Sequence, residues 1–237
     1  MPPIRPQLAA LAMCGAAALT GCQGVTTTRQ YAQVRFIEAS PDTPPVDVYQ
    51  NSSPILYNVG FGTASSYIPV TPGAYTYSVD TAGLHQQLGK ASGTFAAGGQ
   101  YTILVGNTAA ALQTTLLRDQ LTPPPAGQFA LRVLHQATRS GALDLYLVPP
   151  GGKLAATQPF ASGVTFGSSP GYALAPAGTY ALVAVPAGTS PAASPVVPLY
   201  TGSQFDSPGG SSRTIVLIDP SAPSIAALQA LTTSDSD

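Results

Sequence analysis

The sequence predicts an all-β protein: two β-sandwiches in tandem behind a cleaved signal peptide. Three observations carry that prediction. Short runs of Val, Ile, Leu, Tyr and Phe alternate with Gly, Pro, Asn and Ser turn residues along most of the chain. The order of these runs repeats once, at an offset near one hundred residues. The first 22 residues differ from the rest, with one positive charge, an apolar stretch and then a cysteine.

Composition sets the outer limits. Only 8% of the 237 residues are charged, against about 25% in an average soluble protein. Hydrophobic residues make up 44%, whereas disordered chains combine low hydrophobicity with high net charge. The net charge is −1 and no basic run is present to neutralise phosphates, which argues against a nucleic-acid partner.

Arg5 is the only charge in the first 28 residues. The apolar stretch 8–19 is too short for a membrane-spanning helix, which needs about 20 residues, and suits the apolar region of a signal peptide over residues 1–21. It ends in Leu19-Thr20-Gly21-Cys22, which resembles the lipobox of bacterial lipoproteins. That resemblance implies cleavage before Cys22, a diacylglycerol on its thiol and a second acylation at the new N-terminus. Each buried methylene contributes about 0.8 kcal/mol, so several acyl chains make a durable membrane anchor. Cys14, the competing position, follows bulky Met13 and has little apolar chain upstream. Gln23 rather than Asp follows Cys22, which by the same resemblance favours the outer membrane. Beyond Cys22 the chain has no thiol and no disulfide. Residues 22–30 form a lipidated tether, about 25 Å long when extended at about 3.1 Å per residue.

The duplication sets the domain plan. Val34-Arg35-Phe36-Ile37 matches Leu131-Arg132-Val133-Leu134, and Val46-Asp47-Val48-Tyr49 matches Leu143-Asp144-Leu145-Tyr146. Phe61, Tyr67 and Tyr75 match Phe166, Tyr172 and Tyr180. Ala110-Ala111-Leu112-Gln113 matches Ala226-Ala227-Leu228-Gln229. The offset rises along the chain, so the second copy carries insertions, in Gly/Pro/Ser-rich stretches where loops tolerate length. The repeats span residues 31–121 and 128–233, joined by a Pro-rich linker at 122–127, and 234–237 reads as a disordered tail.

In the first repeat the pattern predicts strands near 31–38, 46–51, 54–60, 64–70, 74–80, 88–95, 100–106 and 110–117. Turn formers separate them at Ser40-Pro41-Asp42, Asn51-Ser52-Ser53, Pro72-Gly73 and Gly98-Gly99. Pro69 lacks an amide donor and demotes its strand to an edge or an end. The Ala-rich stretch 108–117 also reads as a helix. Seven or eight short strands in about 90 residues indicate a sandwich.

The stretch 34–49 resembles the opening of a bacterial family, domain of unknown function 4397. So do residues 61–70, with Pro72-Gly73 and Tyr75 after them. Residues 138–140 of the second repeat depart from the pattern. The resemblance implies an exported protein with an immunoglobulin-like or transthyretin-like β-sandwich, and it transfers no activity or catalytic residue.

Two polar pairs stand out. Arg35 with Asp47, repeated as Arg132 with Asp144, reads as a cross-strand salt bridge fixing register; the alternative is a ligand-binding ion pair. His85 and His135 do not align between repeats and lack neighbours at metal-ligand spacing. No Gly-x-Ser-x-Gly elbow occurs, and no two acids sit side by side in the folded part. Neither an enzyme nor a cofactor is therefore expected. Tyrosines that match between repeats read as core or corner residues, and unmatched Tyr57 as a surface residue. These features predict a non-enzymatic, lipid-anchored envelope protein, a binding or structural module for a protein or glycan ligand. The alternative is a carbohydrate- or peptidoglycan-binding lipoprotein. The second repeat, beyond Pro123-Pro124-Pro125, is the one expected to reach furthest from the membrane.

Overall fold

A computed structural model describes residues 30–120, 122–168, 171–192, 196–220 and 228–235. In its first half the strands are β1 (Ala32–Glu38), β2 (Val46–Gln50), β3 (Ser53–Val59), β4 (Thr63–Ala64), β5 (Ile68–Val70), β6 (Gly73–Thr81), β7 (Gln87–Phe95), β8 (Gln100–Gly106) and β9 (Gln113–Arg118). The second half contains β10 (Gln128–His135), β11 (Leu143–Val148), β12 (Ala161–Val164), β13 (Ala173–Pro176), β14 (Gly178–Pro186), β15 (Tyr200–Thr201), β16 (Phe205–Ser207), β17 (Ser212–Ile218) and β18 (Gln229–Ser234). The fold is an all-β sandwich architecture.

The expected elements differ from the observed ones in three places. The run at 64–70 splits into β4 and β5 because Ser65 takes over the pairing with β1. Its amide donates to Phe36 O and its hydroxyl accepts from the Phe36 amide. The Ala-rich stretch begins as a single 3-10 turn, Ala109–Ala111, and continues as β9. The disordered tail expected from residue 234 is corrected: β18 runs through Ser234, and Asp235 is 1% exposed. As expected, the Pro69 strand is an edge, with β5 pairing to β1 alone.

Four sheets result. In the first half, β3-β2-β6-β7 faces β4-β1-β8-β9, with β5 also on β1. The second half repeats that order, β12-β11-β14-β15 facing β13-β10-β17-β18. Within the inner sheets β1 runs parallel to β8, and β10 parallel to β17.

Each half has its own apolar core. Val34, Phe36, Val48, Tyr77, Phe95 and Ile103 pack in the first, and Leu131, Val133, Leu145, Leu182, Ile215 and Leu217 in the second. A third cluster joins the halves: Ile37, Leu104 and Leu117 from the first against Leu134, Val216 and Ile218 from the second. The inner sheets are therefore buried on both faces. This accounts for the consecutive apolar residues Phe36-Ile37, Ile103-Leu104-Val105, Val133-Leu134 and Ile215-Val216-Leu217-Ile218 in β1, β8, β10 and β17, since one-faced sheets alternate apolar with polar residues. It also leaves the side chains of Arg35 and Arg132 between the halves, out of reach of water.

Candidate functional site

Cys22, Leu19, Thr20 and Gly21 lie outside the described residues, so the structure does not bear on the lipobox. The two predicted pairs do fall within it, and the expected partners are corrected. Arg35 is not bonded to Asp47, nor Arg132 to Asp144. In each half the Arg strand and the Asp strand belong to opposite sheets (β1 and β2; β10 and β11), so the pairs are not neighbours across a ladder. Asp47 Oδ1 instead accepts from the Asn58 amide at 2.8 Å. Asp144 ties β12 to the turn after β14 through the amides of Gly163 and Gly188, each at 2.8 Å.

The arginines cross between halves. Arg132 Nη2 lies 2.5 Å from Asp119 Oδ1, where Asp119 ends the first half. Arg35 pairs with Asp235, which ends the second, and its Nη2 lies 3.7 Å from Asp119. The two arrangements match group by group. Arg35 Nε donates to Thr102 and Arg132 Nε to Thr214. Those threonines donate to Asp119 and Asp235 in turn, as do the hydroxyls of Tyr67 and Tyr172. The guanidinium carbons sit 4.8 and 4.6 Å from the Tyr67 and Tyr172 ring centres. Burial and the carboxylates beside them push both tyrosines far above their ordinary pKa, so the hydroxyls remain donors. Each charge is paired and hydrogen-bonded, the condition under which buried ions are tolerated. The pattern left Asp119 and Asp235 unmatched, although the 116-residue offset that relates Ala110 to Ala226 also relates this pair.

A second polar cluster is open to solvent. On β2, Val46 and Val48 point into the core and Tyr49 points outward. Tyr49, Asn51, Ser52, Thr76, Ser78, Asp80, His85 and Gln87 line an open depression of about 530 Å³ on the outer sheet of the first half. That lies within the roughly 300–1,000 Å³ typical of ligand sites. Tyr49 Oη is 2.8 Å from His85 Nδ1. Tyr57, on neighbouring β3, is 65% exposed, as the sequence predicted. Asn51, Asn58 and His85 all have left-handed backbone, with φ of 52°, 54° and 55°. Such conformations cost about 1 kcal/mol or more outside glycine and cluster at functional sites.

The corresponding face of the second half is closed. Tyr146, the match of Tyr49, is only 4% exposed and packs with Val183 and Val185 under Leu154 and Val196. Leu154 and Val196 come from the segments by which the second repeat is longer. Of these two equivalent faces, the accessible one thus belongs to the first half. Of the other tyrosines, Tyr77 fills the core and Tyr101 Oη accepts from the Ala96 amide, and Tyr180, the match of Tyr75, donates its hydroxyl to Pro176 O.

His135 is fully buried, with Nε2 3.0 Å from Gly141 O and Nδ1 accepting from the Ala137 amide. Among the described residues no cluster of three His, Cys, Asp or Glu is placed to hold a metal, and no helix is long and apolar enough to cross a membrane.

Comparison with known proteins gives one family match: residues 32–146 fit the family model described as domain of unknown function (DUF4397). The match supports that family. It contains Arg35, Asp47, Asp119, Arg132 and Asp144 and stops short of Asp235. No curated protein matches the chain. Among solved structures, one reported as "Alpha-glucan binding by a streptococcal virulence factor" is 11% identical, with 83% of this chain and 96% of that chain covered and a TM-score of 0.27. Another, CBMbc (family CBM26) from Eubacterium rectale Amy13K in complex with maltoheptaose, is 10% identical, with 85% and 96% covered and a TM-score of 0.24. Likeness at that level carries no argument about function.

Proposed function

We propose that this chain is a non-enzymatic lipoprotein of the bacterial cell envelope, built from two tandem copies of the DUF4397 domain. Lipid on Cys22 anchors it, at the outer membrane where the cell has one, and the first copy serves as a binding module. The glycan reading is favoured over a protein ligand or a purely structural role. The observation that carries it is the open face lined by Tyr49, His85 and Asn, Ser, Thr and Gln side chains, with exposed Tyr57 near Tyr49 on neighbouring β3. Such a face offers aromatic rings to the C–H side of a pyranose and uncharged hydrogen-bonding groups to its hydroxyls. An apolar protein partner would instead call for a broad hydrophobic patch.

The anchor rests on Leu19-Thr20-Gly21-Cys22 behind its apolar stretch. Cell fractionation of wild type and Cys22→Ser, with metabolic labelling by a fatty-acid probe, tests it. Wild type is expected in the membrane fraction carrying label, and the variant unlabelled and released from it. A variant that stays membrane-bound, with no label in either protein, would remove the anchoring claim. Retention of intact cell-wall glycan or outer-membrane polysaccharide by the wild type, reduced in Tyr57→Ala, tests the binding role.

A further inference from the structure

We propose that the Tyr49–Tyr57–His85 face binds an uncharged pyranose chain, and that His85 is a ligand-contacting residue kept there at the expense of backbone comfort. This deepens the glycan reading above and rests on it.

The first argument is the backbone. His85 has φ 55° in the turn between β6 and β7, where glycine is the relaxed choice. Gly83, two residues earlier in the same turn, already supplies one left-handed position. The His85 amide donates to Thr81 O, a bond that any residue with an amide can make. The turn therefore gives no reason to prefer histidine. The side chain does: it is exposed, and its Nδ1 meets the Tyr49 hydroxyl at the edge of the depression. The rings are edge to face, with centres 6.1 Å apart. With Nδ1 engaged, Nε2 is the ring atom left to face a ligand hydroxyl.

The second argument is charge. The lining contains one carboxylate, Asp80, and no lysine or arginine. Asp47 lies directly across the ladder from Asp80. Exposed Lys90 stands across the ladder from Ser78 at the margin of this face, so a uronic acid or a phosphorylated sugar seated in the depression would meet Asp80 there and find a cation only at its rim. Neutral hexose or N-acetylhexosamine units avoid that repulsion, and their hydroxyl and amide hydrogens can donate to acceptors such as Asp80 and Asn51.

The third argument is the contrast between halves. With the same strand order, the second half closes its equivalent face over Tyr146. Openness at Tyr49 is thus not imposed by the fold.

The test is isothermal titration of the full-length protein in detergent with chitohexaose, cellohexaose and hexagalacturonate. At least one neutral oligosaccharide is expected to bind, and the uronate at least about tenfold more weakly. Tyr57→Ala is expected to weaken binding by about tenfold or more. His85→Gly is expected to lose binding while keeping or raising the thermal midpoint, because glycine relieves the left-handed position. Uronate binding as tight as neutral binding, or wild-type affinity in His85→Gly, would overturn the inference and leave the glycan reading standing. No binding of any of the three, alongside no retention of envelope polysaccharide, would remove both.

Discussion

Asp235 holds Arg35, 200 residues earlier in the chain, and the pair is buried between the two halves. Its counterpart, Asp119 with Arg132, spans only 13 residues across the linker. Each half thus ends in an aspartate that serves the arginine of the other. The exchange ties the end of β18 to the first inner sheet, next to the apolar seam of Ile37, Leu104, Leu134 and Val216.

Removing one partner from such a cluster leaves a buried charge uncompensated, which costs about 3–5 kcal/mol. Asp235→Asn is expected to lower unfolding stability by that order, and Asp119→Asn by more. Asp119 accepts from Arg132, Tyr67 and Thr102 and also lies near Arg35. Urea titration of each variant measures the loss. A change below about 0.5 kcal/mol for Asp235→Asn, the range of ordinary surface substitutions, would show that the C-terminal contact does not hold the halves together.

Glu38 should make the protein less stable as pH rises. Its side chain is 2% exposed, and burial pushes its pKa up to about 8 from the ordinary 4.5, only partly opposed by the Ser40 amide on Oε1. Its Oε2 has no hydrogen-bond partner among the described residues. Between these two values the unfolded chain has lost its proton while the fold still holds it. The contribution is therefore full below pH 4.5 and falls through the window up to about 8, at about 1.4 kcal/mol per pH unit. Glu38→Gln is expected to flatten that slope in chemical denaturation at pH 5, 6.5 and 8. An unchanged slope would mean the carboxyl is not buried as a neutral acid.

His135, which occupies the place of Glu38 in the second half, should act at the other end of the scale. Burial holds its pKa below the ordinary 6.5, partly opposed by its hydrogen bond to Gly141 O and by Asp219. As pH falls below 6.5 the unfolded chain takes up the proton first, so the contribution is full above that value and is lost on acidification. Denaturation of His135→Gln is expected to show a weaker acid dependence than wild type. Nitrogen NMR of the wild-type imidazole is expected to report the neutral form with hydrogen on Nε2 below pH 6.5. A ring already protonated at that pH would contradict it.

Much of the architecture was legible in local pattern. The strand positions of the first half, the edge role of Pro69 and the exposure of Tyr57 follow from apolar alternation, turn residues and a missing amide, all properties of short segments. Arg35 and Arg132 were also legible as special, because a charge flanked on both sides by apolar residues in a strand is buried and paired. Their partners were not. Pairing by nearness in sequence pointed to Asp47 and Asp144, yet β1 and β2 lie in opposite sheets, and the chain crosses the core between them. Likewise Asp235 looked like part of a polar tail, because nothing local says that an opposing half covers it.

The amino-acid sequence by itself determined the all-β character, the order of strands in the first half and the residue types that stand at each turn. Those follow from the two-residue period of a strand and from backbone chemistry. Only the tertiary structure decided which charges meet, that the two inner sheets face one another, and that Tyr49 is open while Tyr146 is covered. These depend on which sheet and which half a residue packs against, and such contacts join positions up to 200 residues apart. No local pattern of hydrophobicity records them.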